Sequence, residues 1–194
     1  MNIIRKLYDW TLNKARHPKA PLFLALIAFT ESSFFPIPPD VVLIPMIIAK
    51  RIKAWVYAFI CTISSVIGGI VGYYIGYFFF TSIGTLILEY YALSDQFNSF
   101  ELYYNQYGMW IVLGAGFTPF PFKFITIASG LFNLNIFLFI GVAIIARGLR
   151  FYLLALLLII FGETIKHLID KYFNSLATLF FILLVGSIVL LKLL

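Results

Sequence analysis

Long apolar runs alternate with short polar breaks along the chain, and the runs come in two lengths. Residues 54–80 and 136–162 stay apolar long enough to cross a bilayer as single helices, which takes about 20 residues. Residues 21–30, 41–49, 107–117 and 124–132 are only about half as long. A ten-residue helix rises about 15 Å, half of a hydrocarbon core. Each short run meets its partner across a proline-broken polar stretch. The first stretch is Glu31-Ser-Ser-Phe-Phe-Pro-Ile-Pro-Pro-Asp40 and the second is Thr118-Pro-Phe-Pro-Phe-Lys123. No short arm spans alone. The pattern therefore predicts two re-entrant helical hairpins, over 21–49 and 107–132, each leaving by the side it entered.

The whole chain then reads as an all-α integral membrane protein. An amphipathic interfacial helix covers 1–20, where Arg5, Lys6, Lys14, Arg16 and Lys19 surround Trp10, as suits an anionic membrane face. A core over 21–162 follows: hairpin 21–49, transmembrane helix 54–80, an extracytoplasmic segment 81–106, hairpin 107–132 and transmembrane helix 136–162. A polar loop over 163–171 leads to a C-terminal transmembrane helix over 172–192. A secretory signal peptide is disfavoured at the N-terminus, because Glu31 interrupts the first run and no small-residue cleavage site follows it.

Charge supports this topology. Ten basic residues (Arg5, Lys6, Lys14, Arg16, Lys19, Lys50, Arg51, Lys53, Lys166 and Lys171) fall on the expected inside. Only Lys192 falls outside, and residues 81–106 carry Glu89, Asp95 and Glu101 with no Lys or Arg. That is a positive-inside bias with a cytoplasmic N-terminus. A hairpin that truly crossed would reverse every later segment and erase the bias. The two hairpin-plus-helix units have opposite orientation, and an offset of 83 pairs Pro36 with Pro119, Pro38 with Pro121 and Asp40 with Lys123. Inverted repeats whose broken helices meet at the midplane are the plan of many transporters.

Composition agrees. Hydrophobic residues make up 62% of the 194 and charged residues 11%, against about 45–50% and 25% in soluble domains. The net charge of +6 is spread as a membrane topology requires, so no nucleic-acid partner is expected. One cysteine, Cys61, and two separated histidines, His17 and His167, leave no disulfide framework and no metal site. No cofactor is expected either. No Ser-His-Asp or Cys-His set can be assembled and no glycine-rich phosphate loop is present, so an enzyme is not expected.

Five ionisable residues stand in apolar context: Glu31, Asp40, Lys123, Arg147 and Arg150. Unpaired, they would cost on the order of 12–18 kcal/mol on the insertion scale. They must pair with each other, with water or with a ligand. Arg147 and Arg150 are three apart and share a helical face. Two negative and three positive groups leave one spare positive charge, which a phosphate would balance, and arginine's planar fork suits phosphate oxygens. Half-helix ends at the hairpin tips would add backbone donors. Structural ion pairs would account for the same charges. The prolines, which free backbone polar groups at that depth, favour a wet cavity instead. Pro36, Pro38, Pro119 and Pro121 are expected to shape the tips. Gly68, Gly72 and Gly76, every fourth residue, are expected to let another helix approach closely.

Glu31 with Pro36-x-Pro38-x-Asp40, then Gly68-Gly69-x-x-Gly72-Tyr73-x-x-Gly76, resembles the DedA family, also called the VTT or SNARE-associated domain family. Thr118-Pro-Phe-Pro-Phe-Lys123-x-x-Thr126-x-Ala128-Ser129-Gly130, followed by Arg147-x-x-Arg150-Phe151, is similar to its YqaA-like branch. The resemblance implies opposed re-entrant hairpins and essential membrane-embedded acidic and basic residues. It also implies lipid translocation in the bacterial inner membrane, including proton-linked transport of undecaprenyl phosphate, or phospholipid scrambling as in eukaryotic relatives. Better-known members carry two arginines around the second hairpin's proline. This chain has no basic residue near Phe117 and has Lys123 for the second, a point charge rather than a fork.

The function expected is translocation of an anionic lipid, a polyprenyl phosphate or a phospholipid, coupled to protons. Arg147, Arg150 and Lys123 would bind the head group, and Glu31 and Asp40 would exchange protons. A passive scramblase and a small-anion carrier want the same midplane charges. The expected partners are phosphate-headed membrane lipids and protons, with a homo-oligomer allowed.

Overall fold

Prolines and one asparagine mark where four of the helices begin. The computed structural model describes residues 19–35, 37–84, 94–118 and 120–162. The basic helix expected over 1–20 lies outside the described residues except for its last two, and the C-terminal span over 172–192, Pro36 and Pro119 lie outside them entirely. Helix α1, Ala20–Ser33, has a proline in its first turn, where the missing amide proton has no intrahelical role. Helix α2, Asp40–Ala49, starts directly after Pro38 and Pro39 and has Asp40 in its first turn, an acid at the positive end of the helix dipole. A 3-10 turn, Arg51–Lys53, leads into α3, Ala54–Phe79, which a π-helical turn, Phe80–Gly84, prolongs.

Helix α4 runs Ser94–Phe117 and α5 runs Phe122–Leu131. Asn133 then takes a left-handed φ of 51°, a conformation asparagine tolerates better than most residues. Two residues on, the Asn135 side-chain oxygen accepts the amides of Phe137 and Leu138 at 3.0 and 3.1 Å. That cap opens α6, Ile136–Gly162. The protein is all-helical, with no strand among the described residues. Two stretches are long and apolar enough to cross a membrane, Arg51–Ser82 and Ile136–Gly162, while α1, α2 and α5 are apolar but short.

One helix departs from the reading of the sequence. Helix α4 begins at Ser94, inside the stretch taken as a separate extracytoplasmic segment, 81–106, and well before the apolar run at 107. Hydropathy marks where a helix enters apolar surroundings, not where its hydrogen bonding starts. The early turns of α4 are fixed by rings instead. Phe97 stacks on Phe80 at 4.6 Å and on Phe132 at 5.2 Å, and Tyr104 lies 5.0 Å from Phe132.

Helix α3 is the spine, with α1 and α5 both laid along it. Close approach is possible because one face of α3 is bare. A Cβ on Gly68 would overlap the carbonyl of Phe29 in α1, and one on Gly76 would overlap the carbonyl of Ile127 in α5. Gly72 lies between, facing both the Thr126 hydroxyl and the Ser32 carbonyl. Gly130 of α5 returns the fit, since a Cβ there would overlap the Tyr73 carbonyl.

Two apolar cores result. One joins α1 and α2 to the start of α3 and the end of α6 through Leu24, Leu43, Met46, Tyr57, Cys61, Phe151 and Leu158. The other joins α4 and α5 to the far part of α3 and the start of α6 through Val66, Tyr73, Val112, Phe122, Phe139 and Val142. Since the start of α3 meets the end of α6, the two long helices are antiparallel. The pair α1 with α2 thus owns one end of the α3–α6 pair, and α4 with α5 owns the other. Between the cores, near the middle of both long helices, the buried side chains become polar: Glu31, Ser32, Ser33, Thr62, Ser65, Thr126 and Arg147.

Candidate functional site

The polar layer is organised around Arg147, which is 1% exposed. Its Nη2 donates to Glu31 Oε2 at 2.8 Å, and its Nε donates to Ser65 Oγ at 2.6 Å. Ser65 Oγ lies 2.6 Å from Ser32 Oγ, and Ser32 Oγ donates to Glu31 Oε2 at 3.1 Å. Only one arrangement of hydroxyl protons serves every contact: Ser32 gives its proton to Glu31, so Ser65 gives its own to Ser32. The four groups close a hydrogen-bonded ring across α1, α3 and α6. The guanidinium plane is also held between rings, 5.1 Å from the centroid of Phe122 and 4.7 Å from that of Phe151, contacts that attract a cation electrostatically. Glu31 has a further partner from the second helix pair, since its Oε1 accepts the Phe122 amide at 3.3 Å. A carboxylate at the first amides of α5 suits the helix dipole.

Arg150, one turn further along α6, makes the complementary contact. Its Nη2 donates to Asp40 Oδ2 and its Nη1 to the Thr118 carbonyl just after α4. This pair is less buried, with side chains 16% and 22% exposed. The other Asp40 oxygen, Oδ1, is buried and has no hydrogen-bond partner among the described residues. Each arginine therefore grips both helix pairs. Arg147 holds the end of α1, whose Glu31 in turn takes the start of α5, and Arg150 holds the start of α2 and the end of α4. Thr126 adds a neutral tie, donating to the Ser32 carbonyl at 3.0 Å.

Four of the five charges picked out from the sequence thus meet as two ion pairs. Lys123 does not join them. Its ammonium lies 5.4 Å over the Phe124 ring, and it has no ion pair among the described residues. The spare positive charge counted from composition is this lysine. Pro121 immediately precedes α5 with φ −62°, and Pro38 accepts the Val41 amide at the start of α2. Gly68, Gly72 and Gly76 sit at the approaches already described.

Sequence reasoning gave no role to Ser32 or Ser65, and it named Thr126, Phe122 and Phe151 only as members of the quoted motifs. A signal for them existed: Ser65 and Thr126 are polar groups inside apolar helices, and Ser32 directly follows Glu31. Chemically, the layer is closed and neutral at its two ion pairs. Removing one partner of such a buried pair leaves an uncompensated charge, at a cost of about 3–5 kcal/mol.

The VTT domain matches residues 37–160, which include Asp40, the glycine stripe and both arginines of α6. The chain belongs to this family, the DedA family. Two uncharacterized relatives are similar over about four fifths of the chain. One, from Haemophilus influenzae (strain ATCC 51907 / DSM 11121 / KW20 / Rd), is 35% identical over 163 residues, covering 84% of each chain. Another, from Histophilus somni, is 40% identical over 153 residues, covering 79% of this chain and 80% of its own. No solved structure matches the chain. As a DedA family member with two long apolar helices, the protein is a membrane protein.

Proposed function

We propose that this DedA protein is a carrier, not an enzyme, that moves an anionic phosphate-headed lipid across the bacterial inner membrane together with protons. On this reading α1 with α2, and α4 with α5, are opposed re-entrant hairpins of an inverted repeat, and the N-terminus is cytoplasmic. The observation that carries the proposal is the cross-grip of Arg147 and Arg150. Each holds a carboxylate of the first helix pair, and each ion pair also takes a backbone group of the second, at the mid-length of the long helices.

Such a grip is a switch that protons can throw. Protonating Glu31 or Asp40 weakens its hold on the paired arginine, because the attraction between charges is lost. The freed guanidinium then offers a planar fork to phosphate oxygens, while the lipid tail stays in the bilayer. Arg150 holds Asp40 through Oδ2 alone, since its Oδ1 has no hydrogen-bond partner among the described residues, so this carboxylate is the less fully tied of the two. Lys123 supplies the remaining positive charge for the head group. Loss of the phosphate on the far side restores the ion pairs and releases the proton.

The test uses purified protein in liposomes, with and without an imposed pH gradient, following a labelled polyprenyl phosphate beside a labelled neutral-headed phospholipid. Selective movement of the phosphate lipid that depends on the gradient is expected. Arg147→Ala and Glu31→Gln are expected to abolish it while both variants still insert. Equal movement of the two lipids, indifferent to the gradient, would instead identify a passive scramblase. Movement of free phosphate with no lipid transport would identify a small-anion carrier.

A further inference from the structure

One groove among the described residues lies away from the ion pairs. It has a volume of about 640 Å³ and runs where α2 turns into α3, lined by Ile48, Lys50, Arg51, Ile52, Lys53 and Gly162 among others. We propose that this groove is a separate binding site for the phosphate head group of an anionic membrane lipid. It rests on the protein's being in a membrane, and not on its transporting anything.

Its chemistry is specific to such a ligand. Three cations fall within four consecutive positions: Lys50 at the C-terminal cap of α2, and Arg51 and Lys53 on the 3-10 turn that follows. Lys53 is exposed and has no ion pair among the described residues. The Arg51 guanidinium lies along the bare Gly162 backbone, where a Cβ would stand only 3.3–3.5 Å from its Nη2, Nε and Cζ atoms. Glycine thus leaves room for a planar fork on the wall of the groove. Between the cations, Ile52 is 98% exposed, a placement that fits acyl chains and not water. Just beyond the turn, Trp55 stacks on Tyr152 at 5.7 Å, and both rings have an exposed part. Trp and Tyr settle at the boundary between head groups and hydrocarbon, which sets the groove at head-group depth. A rival account has the cations merely offset the negative C-terminal end of α2. That account needs neither a groove nor a fully exposed isoleucine.

Trp55 reports on the lipids beside it. In full-length protein carrying Trp10→Phe and Trp110→Phe, reconstituted in phosphatidylcholine bilayers, its fluorescence is titrated with brominated phosphatidylglycerol and, separately, with brominated phosphatidylcholine. Stronger, saturating quenching by the anionic lipid is expected. Lys53→Gln, which removes an exposed ammonium, is expected to weaken the preference about three- to fivefold, near the effect of one basic residue at an anionic surface. Gly162→Leu keeps all three charges but fills the groove, and is also expected to abolish saturation. Equal quenching by both lipids, or an unchanged titration in Gly162→Leu, would overturn the site and leave only diffuse attraction. Displacement of the lipid by millimolar inorganic phosphate would show that the free ion is the ligand and overturn the lipid assignment. Arg147→Ala is expected to bind like the parent protein, so failure of the transport proposal and failure of this one can be told apart.

Discussion

Ser65 shows what a single hydroxyl does in this protein. It accepts from Arg147 Nε and donates to Ser32, closing the ring that returns to Glu31. Ser65→Ala opens that ring and leaves a buried charged donor without a partner, which costs about 1–3 kcal/mol or more. Thermal unfolding in detergent is expected to show the loss, whereas Ser64→Ala, one position away and outside the ring, is expected to leave the midpoint nearly unchanged. Equal midpoints for the two variants would mean that Ser65 does not hold Arg147. At this scale the sequence disclosed the charges but not their pairing. A buried arginine must find a carboxylate, yet whether Arg147 takes Glu31 or Asp40 depends on where the end of α1 and the start of α2 lie along α6. Lys123 makes the same point in reverse, since charge counting enrolled it in a cluster that the fold leaves it outside.

Helices α3 and α6 were legible from their length, and α1, α2 and α5 from theirs. The start of α4 was not, because polar residues propagate a helix as well as apolar ones do. Phe97 and Tyr104, two turns apart and so on one face, were the available sign that 94–106 is helical. The glycines separate packing from composition. Gly76→Leu on α3 would drive a side chain into the backbone of α5, where a Cβ alone already overlaps the Ile127 carbonyl. That variant is expected to lose the folded state in detergent. Gly141→Ala on α6 meets nothing within 4 Å and replaces the poorer helix former by about 1 kcal/mol. It is expected to keep or raise the unfolding midpoint. A Gly76→Leu protein as stable as its parent would show that α5 does not seat on that stripe.

For the whole molecule, topology is the quantity to measure, and the chain offers a convenient background. Its one cysteine, Cys61, is buried, so it is expected to resist a membrane-impermeant thiol reagent. A cysteine placed at Lys53 is expected to react only from the cytoplasmic side and one placed at Glu101 only from the opposite side. Labelling of both from one side would break the proposed arrangement, because a single crossing by α3 separates them.

Much of this architecture follows from the linear chain. The lengths of the apolar runs, the prolines between them and the asymmetry of basic residues depend only on local composition and on the thickness of a bilayer. Helices and their order are therefore determined by the sequence alone, as are the identities of the charges that cannot stay unpaired. Which partners those charges choose is a different matter. Glu31 reaches Arg147 across 116 positions and Asp40 reaches Arg150 across 110, distances over which no periodicity carries information. The tertiary structure decides the pairing because α3 presents a bare face to both α1 and α5. Only when α1 and α5 have seated on that face do two carboxylates and two guanidinium groups arrive in the same layer.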